Sequence, residues 1–445
     1  SLLINNEWTN FKYAWLSQMK IQGLKQISFA SFVTAITCFN LSHADDAFSP
    51  QSKYLFGDWN GKRTELASQG VNFDANLYVD TDYLADGGYK PRDGATFASQ
   101  LWLGSSLDLE KMLGWNGVSV RAIVTARQGQ STSVDNISYP GAQQMANTQA
   151  TWGRGNVDSR LTQLSIEKIF TDTGWSVRVG RIGMGSYFNT MGCDFQSTSF
   201  CTAQNGKWMG NVWYNEPVAQ WAGIVKYRFT PELSAQVGVF EFNPTNIKEN
   251  QGWNLKSDHM DGVTVPVELH YQPKQGINHL PGSYRLGVFY NNADKTQNKD
   301  VITGEQKDHA YAGWFTADQQ FTSVDGGKRG LYGFTNISFH DTTVNKIDNT
   351  QQIGIRYLGL LDDHPTDMLG LGVNRIHVND RYRDGIYNKK ALINEDAEYN
   401  IELNYSHYVT PWLMLRPVVQ YVIQPGATDQ VDNALVLGLT TKVIF

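Results

Sequence analysis

Six arginines and a lysine fall on the polar side of short alternating runs: Arg121, Arg127, Arg178, Arg285, Arg356, Arg416 and Lys442. Asp108, Glu167 and Glu402 occupy polar registers too and can serve as acidic partners. A guanidinium is a rigid fork that donates two hydrogen bonds to neighbouring oxygens, such as vicinal hydroxyls. A carboxylate opposite it accepts from hydroxyls and holds the fork in place. Trp102 shares its face with Gly104 and Asp108, which adds an aromatic surface for the apolar side of a ring-shaped solute. This is the chemistry of weak, reversible recognition, in which no covalent bond is made or broken.

Covalent chemistry finds little to work with. The nine histidines are scattered, and the sequence has no HExxH zinc motif, GxSxG nucleophile elbow or P-loop. Ser406 and His407 are adjacent, which on a strand turns their side chains to opposite faces. No catalytic residue, metal or cofactor is expected. The net charge of −6 comes without a basic block, so nucleic acid is not expected as a partner.

The elements that must position these side chains have a period of two. Val118, Val120, Ala122, Val124 and Ala126 alternate with Ser119, Arg121, Ile123, Thr125 and Arg127. Leu101, Leu103, Ser105, Leu107 and Leu109 oppose Trp102, Gly104, Ser106 and Asp108, and Ile401, Leu403 and Tyr405 oppose Glu402, Asn404 and Ser406. Such ladders start at Val71 and recur to Phe445, separated by Gly, Asn, Asp and Pro clusters. Charged residues make up 18% of the chain and the mean hydropathy is −0.39. No stretch approaches the roughly 20 apolar residues of a membrane-spanning helix.

A soluble sandwich would alternate too, but three features favour a closed membrane sheet. The alternation continues with no linker or shift in composition, far beyond one sandwich. Aromatic residues sit toward the ends of runs, at Trp175, Trp213, Tyr214, Trp221, Tyr227, Phe229, Tyr405, Tyr408 and Trp412, where interfacial girdles would place them. The last ladder, Leu435, Leu437, Leu439, Val443 and Phe445, finishes on an aromatic residue, as outer-membrane barrels do for recognition by the barrel-assembly machinery. The expected fold is therefore all-β, a transmembrane antiparallel β-barrel. At roughly 9 to 11 residues per strand, about 14 to 18 strands fit. A barrel of that size encloses water.

Three segments are expected. Residues 1–44 comprise an over-called start and a secretory signal peptide: Met19, Lys20 and Lys25 precede an apolar run from Ile27 to Phe39, and Ser42-His43-Ala44 supplies the small residues of a cleavage site. Residues 45–70 hold a short helix that Asp58 can cap and Gly70 can end. Residues 71–445 form the barrel. Cys193 and Cys201 are expected to form a loop-stapling disulfide, since an exported chain matures in an oxidising compartment. The segment from Tyr187 to Tyr214 is long enough to fold inward as a constriction or to cover the mouth as a surface loop.

Leu55-Phe56-Gly57-Asp58-Trp59-Asn60-Gly61-Lys62-Arg63-Thr64 resembles the L-x-GDW-x-G-x-R-T opening of the OprB carbohydrate-selective porins, with Asn60 where that family often has Gly. The resemblance extends through Leu107 to Trp115, Gly370-Leu371-Gly372-Val373, Val409-Thr410-Pro411-Trp412 and Gln420 to Gly426. It implies a barrel of sixteen strands in the Gram-negative outer membrane, in contact with its lipid. It also implies passive diffusion of small neutral sugars, typically glucose and related monosaccharides. Arg121, Arg127, Glu167, Arg178, Arg285, Arg356, Arg416, Trp102 and Asp108 are the candidate pore-lining, solute-contacting residues. The basic lining leaves a porin for anions or organic acids as an alternative. An adhesion or envelope-tethering barrel is a weaker one, for the chain has no coiled-coil heptads.

Overall fold

The computed structural model describes residues 46–152, 157–201, 203–209 and 212–445. The expected leader, residues 1–44, lies outside the described residues. Among those described, sixteen strands follow one another: β1 Val71–Gly88, β2 Ala95–Asp108, β3 Val118–Gly129, β4 Val157–Phe170, β5 Trp175–Ile182, β6 Gln220–Arg228, β7 Leu233–Phe242 and β8 Gly262–Tyr271. The second half continues with β9 Gly282–Asn291, β10 Ala310–Gln320, β11 Gly330–His340, β12 Ile347–Leu358, β13 Met368–Val378, β14 Ala397–Thr410, β15 Leu413–Ile423 and β16 Asp432–Ile444. Each pairs antiparallel with its neighbours in sequence, and β1 pairs with β16 to close the barrel. Closure removes every sheet edge, so the strands can cross hydrocarbon with no backbone group unpaired.

The burial pattern is inverted relative to a soluble protein. Ile353 is 65% exposed and Phe339 61%, whereas the alternating neighbours Gln352 and Ser338 are at 1% and 0%. Lipid selects the apolar register for the outside, and the period of two turns every other residue inward. The hydrophobic core therefore sits inside the lumen, where the long β5–β6 loop folds in. Phe188, Trp213 and Tyr214 from that loop pack against Phe240, Phe289 and Trp314 from the wall.

This corrects part of the aromatic reading. Trp213 and Tyr214 are fully buried in the lumen, not placed in an interfacial girdle. Trp412 is covered by the N-terminal segment, and its indole N–H donates to Ser49 O at 2.9 Å. Trp175, Trp221 and Phe229 are outward and exposed, and Trp175 packs on Tyr227 at 4.6 Å between ring centres.

The short helix, α1, spans Lys62–Ser68. It begins later than Asp58 because Trp59, Asn60 and Gly61 all take positive φ. Asp58 still serves the first turn, its Oδ1 accepting from the Thr64 amide and hydroxyl, each at 3.0 Å. From α1, Arg63 donates to Phe73 O at 2.9 Å and Phe445 O at 3.0 Å, with Tyr54 stacked 3.4 Å from its guanidinium. The Leu55 amide donates to Ile444 O at 2.8 Å. The segment thus straps the β1–β16 seam at the end of the barrel that carries the short turns, the periplasmic end in barrels of this kind.

Candidate functional site

The β5–β6 loop is held across the lumen by polar groups of the wall. Asn189 donates its amide to Glu268 at 2.7 Å, and its side-chain oxygen accepts from Thr316 at 2.9 Å and Asn336 at 2.7 Å. Further along, the amides of Gln196 and Ser197 donate to the two oxygens of Glu402 at 2.8 and 2.7 Å. Asp194 pairs with Arg356, which also pairs with Asp318. Cys193 and Cys201 are joined as a disulfide around this anchoring stretch.

The β3–β4 loop is seated the same way. Met145 and Ala146 donate their amides to Glu398 at 2.7 and 3.0 Å. Thr151 donates to Asp80 through its amide at 3.1 Å and its hydroxyl at 2.8 Å. The two loops also bond to each other, Ala150 N to Gln196 O at 2.8 Å and Thr198 N to Asn147 O at 2.9 Å. Burying a carboxylate is expensive unless its lone pairs are filled, and loop amides fill them here. The wall acids and the loop backbone therefore require each other.

Between this double loop and the wall of β1, β2, β3 and β15 lies an open cavity of about 950 Å³, into which Trp102, Arg127, Lys207, Glu216, Lys346 and Arg416 look. Arg127 donates to Gln100 at 2.6 Å and Arg416 to Ser406 at 2.7 Å. Trp102 lies over Gly104: a Cβ at position 104 would come within 2.7 Å of the indole ring. The indole is thus pressed on the wall, and the Arg121 guanidinium stands 5.4 Å from its ring centre. The Trp102 N–H is a donor to Glu216 of the loop.

The lining sets charged and amide side chains, among them Gln100, Arg127, Glu216 and Arg416, beside aromatic ones such as Trp102 and Trp208. The question of kinship is decided by the chain at large: a family model described as "Carbohydrate-selective porin, OprB family" matches residues 92–445. The chain belongs to the OprB family. It is 41% identical to Porin B of Pseudomonas aeruginosa over 427 residues, covering 91% of this chain and 94% of that one. A putative porin of Acinetobacter baylyi, QuiX, is 36% identical over 430 residues, 92% of this chain and 97% of that one. The high-pH structure of Pseudomonas putida OprB superposes with a TM-score of 0.84 at 39% identity, covering 90% of this chain and all of that one. Porins are channels of the Gram-negative outer membrane, and this OprB-family barrel resides there.

On the OprB barrel the residues singled out from sequence do not form one ring. Trp102, Arg127 and Arg416 line the 950 Å³ cavity. Glu167, Arg178 and Arg285 line a separate cavity of about 350 Å³. Arg356 belongs to neither and ties loop to wall. Arg121 lies nearer the short turns, donating to Ser106 at 2.6 Å with Asp74 at 3.5 Å. Asp108 ends β2 and caps a five-residue helix, Leu109–Leu113, by accepting from the amides of Glu110 and Lys111 at 3.1 and 3.3 Å. Glu402 is a loop anchor with its side chain out of reach of solvent. Asp80, Lys207, Glu216 and Lys346 line the main cavity without having been singled out. Three of these four lie in loops, where no periodicity marks which way a side chain turns.

Outside the lumen, His364, Asp367 and His407 gather at the foot of β13 and β14 with their potential ligand atoms within 4.8 Å of one another. Asp367 accepts from His407 Nδ1 at 2.7 Å, Tyr405 Oη at 2.8 Å and the Tyr408 amide at 3.0 Å. Its lone pairs are engaged in pinning the β12–β13 turn to β14.

Proposed function

We propose that this OprB-family porin passes small neutral sugars, glucose and related monosaccharides, by passive diffusion along the 950 Å³ cavity beside the double loop, with Trp102, Arg127 and Arg416 as the solute-contacting groups. One observation carries the reading: the indole of Trp102 is pressed flat on the wall in a cavity that also holds Arg127, Arg416 and Glu216. A pyranose offers an apolar face to the indole and hydroxyls to the fork and carboxylate. The contact has to be weak, because a site that holds its solute stops conducting. A dissociation constant of about 1 mM corresponds to about 4 kcal/mol, within reach of one stacking contact and two charge-assisted hydrogen bonds.

The test is single-channel conductance in a planar bilayer, titrated in turn with glucose, maltose and phosphate. Glucose is expected to reduce the current saturably and phosphate to leave it unchanged. Block by phosphate alone would make the basic lining an anion filter and overturn the proposal.

A further inference from the structure

The 350 Å³ cavity lies behind the inward loop, toward the short-turn end of β4–β9. Ser186, Tyr187 and Thr190 of the loop border it on one side and strand residues on the other. Its cations are Arg178, Lys226 and Arg285. Arg178 is satisfied by Glu167 at 2.5 Å and Ser165 at 3.3 Å. Arg285 is satisfied by Glu268 at 2.7 Å. Glu268 has nothing left to offer, since Gln236, Trp314 and the Asn189 amide also donate to it, at 3.0, 2.9 and 2.7 Å.

Lys226 is different. It sits opposite Ser176 on β5 and Gln236 on β7, and the two carboxylates that reach it electrostatically, Glu167 and Glu268, are already paired with Arg178 and Arg285. Among the described residues it forms no ion pair. Three cations against two carboxylates leave one positive charge in excess, and that charge is the Lys226 ammonium. Around it the wall is rich in groups that bond hydroxyls: Ser176, Ser186, Thr190, Ser234, Gln236 and Gln272.

A cavity of about 350 Å³ is at the lower end of small-molecule sites and several times the space of a water, about 30 Å³ in the liquid. A neutral sugar would use the hydroxyl-bonding wall but leave the ammonium without a counter-charge. A small inorganic anion would answer the ammonium and leave the wall unmatched. A solute carrying both a carboxylate and several hydroxyls answers both.

We propose that this cavity is a second solute subsite, selective for a polyhydroxylated carboxylate, in which Lys226 pairs with the carboxylate and the surrounding serine, threonine and glutamine side chains bond the hydroxyls. It rests on the reading of the barrel as a sugar-passing porin and extends the solutes it favours to sugar acids. The ammonium is a point charge on a flexible stem, suited to catching a passing anion without clamping it.

The experiment is bilayer block by gluconate, with acetate and glucose as comparators, on the wild type, Lys226→Gln and Lys226→Arg. Gluconate is expected to block the wild type saturably and far better than acetate. Lys226→Gln should raise the half-blocking gluconate concentration about tenfold while leaving glucose block unchanged, and Lys226→Arg should retain gluconate block. Equal gluconate block in wild type and Lys226→Gln overturns the subsite, as does acetate blocking as well as gluconate. Loss of glucose block in the wild type would instead strike the neutral-sugar reading, and the gluconate comparison would still decide the cavity. All three proteins should show the same heat-modifiable mobility on gels, which certifies the fold.

Discussion

Trp102 and Arg127 illustrate how a porin arranges single side chains. Gly104 leaves the wall flat, the indole lies on it, and Gln100 steadies the guanidinium of Arg127. The Trp102 N–H donates to Glu216 of the loop and Arg127 faces the same carboxylate, and both look into the cavity, whereas Arg356 is held between Asp194 and Asp318 and lines neither cavity. Trp102→Ala and Arg127→Gln should therefore each raise the half-blocking glucose concentration about tenfold, a loss of about 1.4 kcal/mol, with open-channel conductance nearly unchanged. Arg356→Gln should act in the opposite sense, disturbing conductance and stability through the loop. Single-channel titration of the three variants separates the two behaviours. Sequence could assign all three residues to the inward face, because alternation reports the face of a sheet directly. It could not say which of them meet across the lumen. That depends on what the loop brings to each, and Asp194 is some 160 positions from Arg356 in the chain.

At the scale of elements, the barrel wall and its loops obey different rules. The strands were legible since lipid imposes one period on every crossing: the ladder from Val118 to Arg127 falls within β3 and that from Leu101 to Asp108 within β2, which begins six residues earlier, while Leu109 opens a short helix instead. The inward loops have no such period. Trp213 and Tyr214 looked like girdle residues because an aromatic pair outside a clear ladder carries no sign of whether lipid or loop covers it. Glu402 had the right register for a pore acid, yet the two amides it accepts come from Gln196 and Ser197, about 200 positions earlier.

Glu402→Ala would leave those buried amides without acceptors, at a cost of roughly 1–3 kcal/mol each. The loop should loosen, giving a larger and noisier single-channel conductance, passage of bigger sugars such as maltose, and a lower unfolding temperature. The Asp367 turn offers a pH test. Burial alone would raise its carboxyl, but hydrogen bonds from His407, Tyr408 and Tyr405 outweigh burial and hold it below its ordinary value. A carboxylate so placed contributes stability above its unfolded value of about 3.9, and the contribution is lost as pH falls through the lower folded value. Asp367→Asn should therefore lower the heat-unfolding temperature at neutral pH, and the gap between variant and wild type should close below about pH 4.

For the molecule as a whole, stability comes from closure. Sixteen strands share one cyclic ladder, so opening any pair exposes two edges at once. The β1–β16 pair is distinctive in joining the two extremes of the barrel segment, and Arg63 lies across it with hydrogen bonds to Phe73 on one strand and Phe445 beyond the other. Arg63→Ala should lower the temperature at which the folded band converts to the unfolded one on gels, by an amount reflecting two lost bonds of about 1–3 kcal/mol each, without altering single-channel conductance.

The strap has a further consequence for biogenesis. Its acceptors, Phe73 O, Ile444 O and Phe445 O, occur side by side only when β1 and β16 have already met. Residues 48–63 can therefore dock only on a finished cylinder. Lys53 and Lys62 stay exposed, but a protease that cuts beside them would meet a backbone held in place in completed barrels and a loose one in every unfinished barrel, so the clipping pattern of this short stretch becomes a clock for when the ring is sealed.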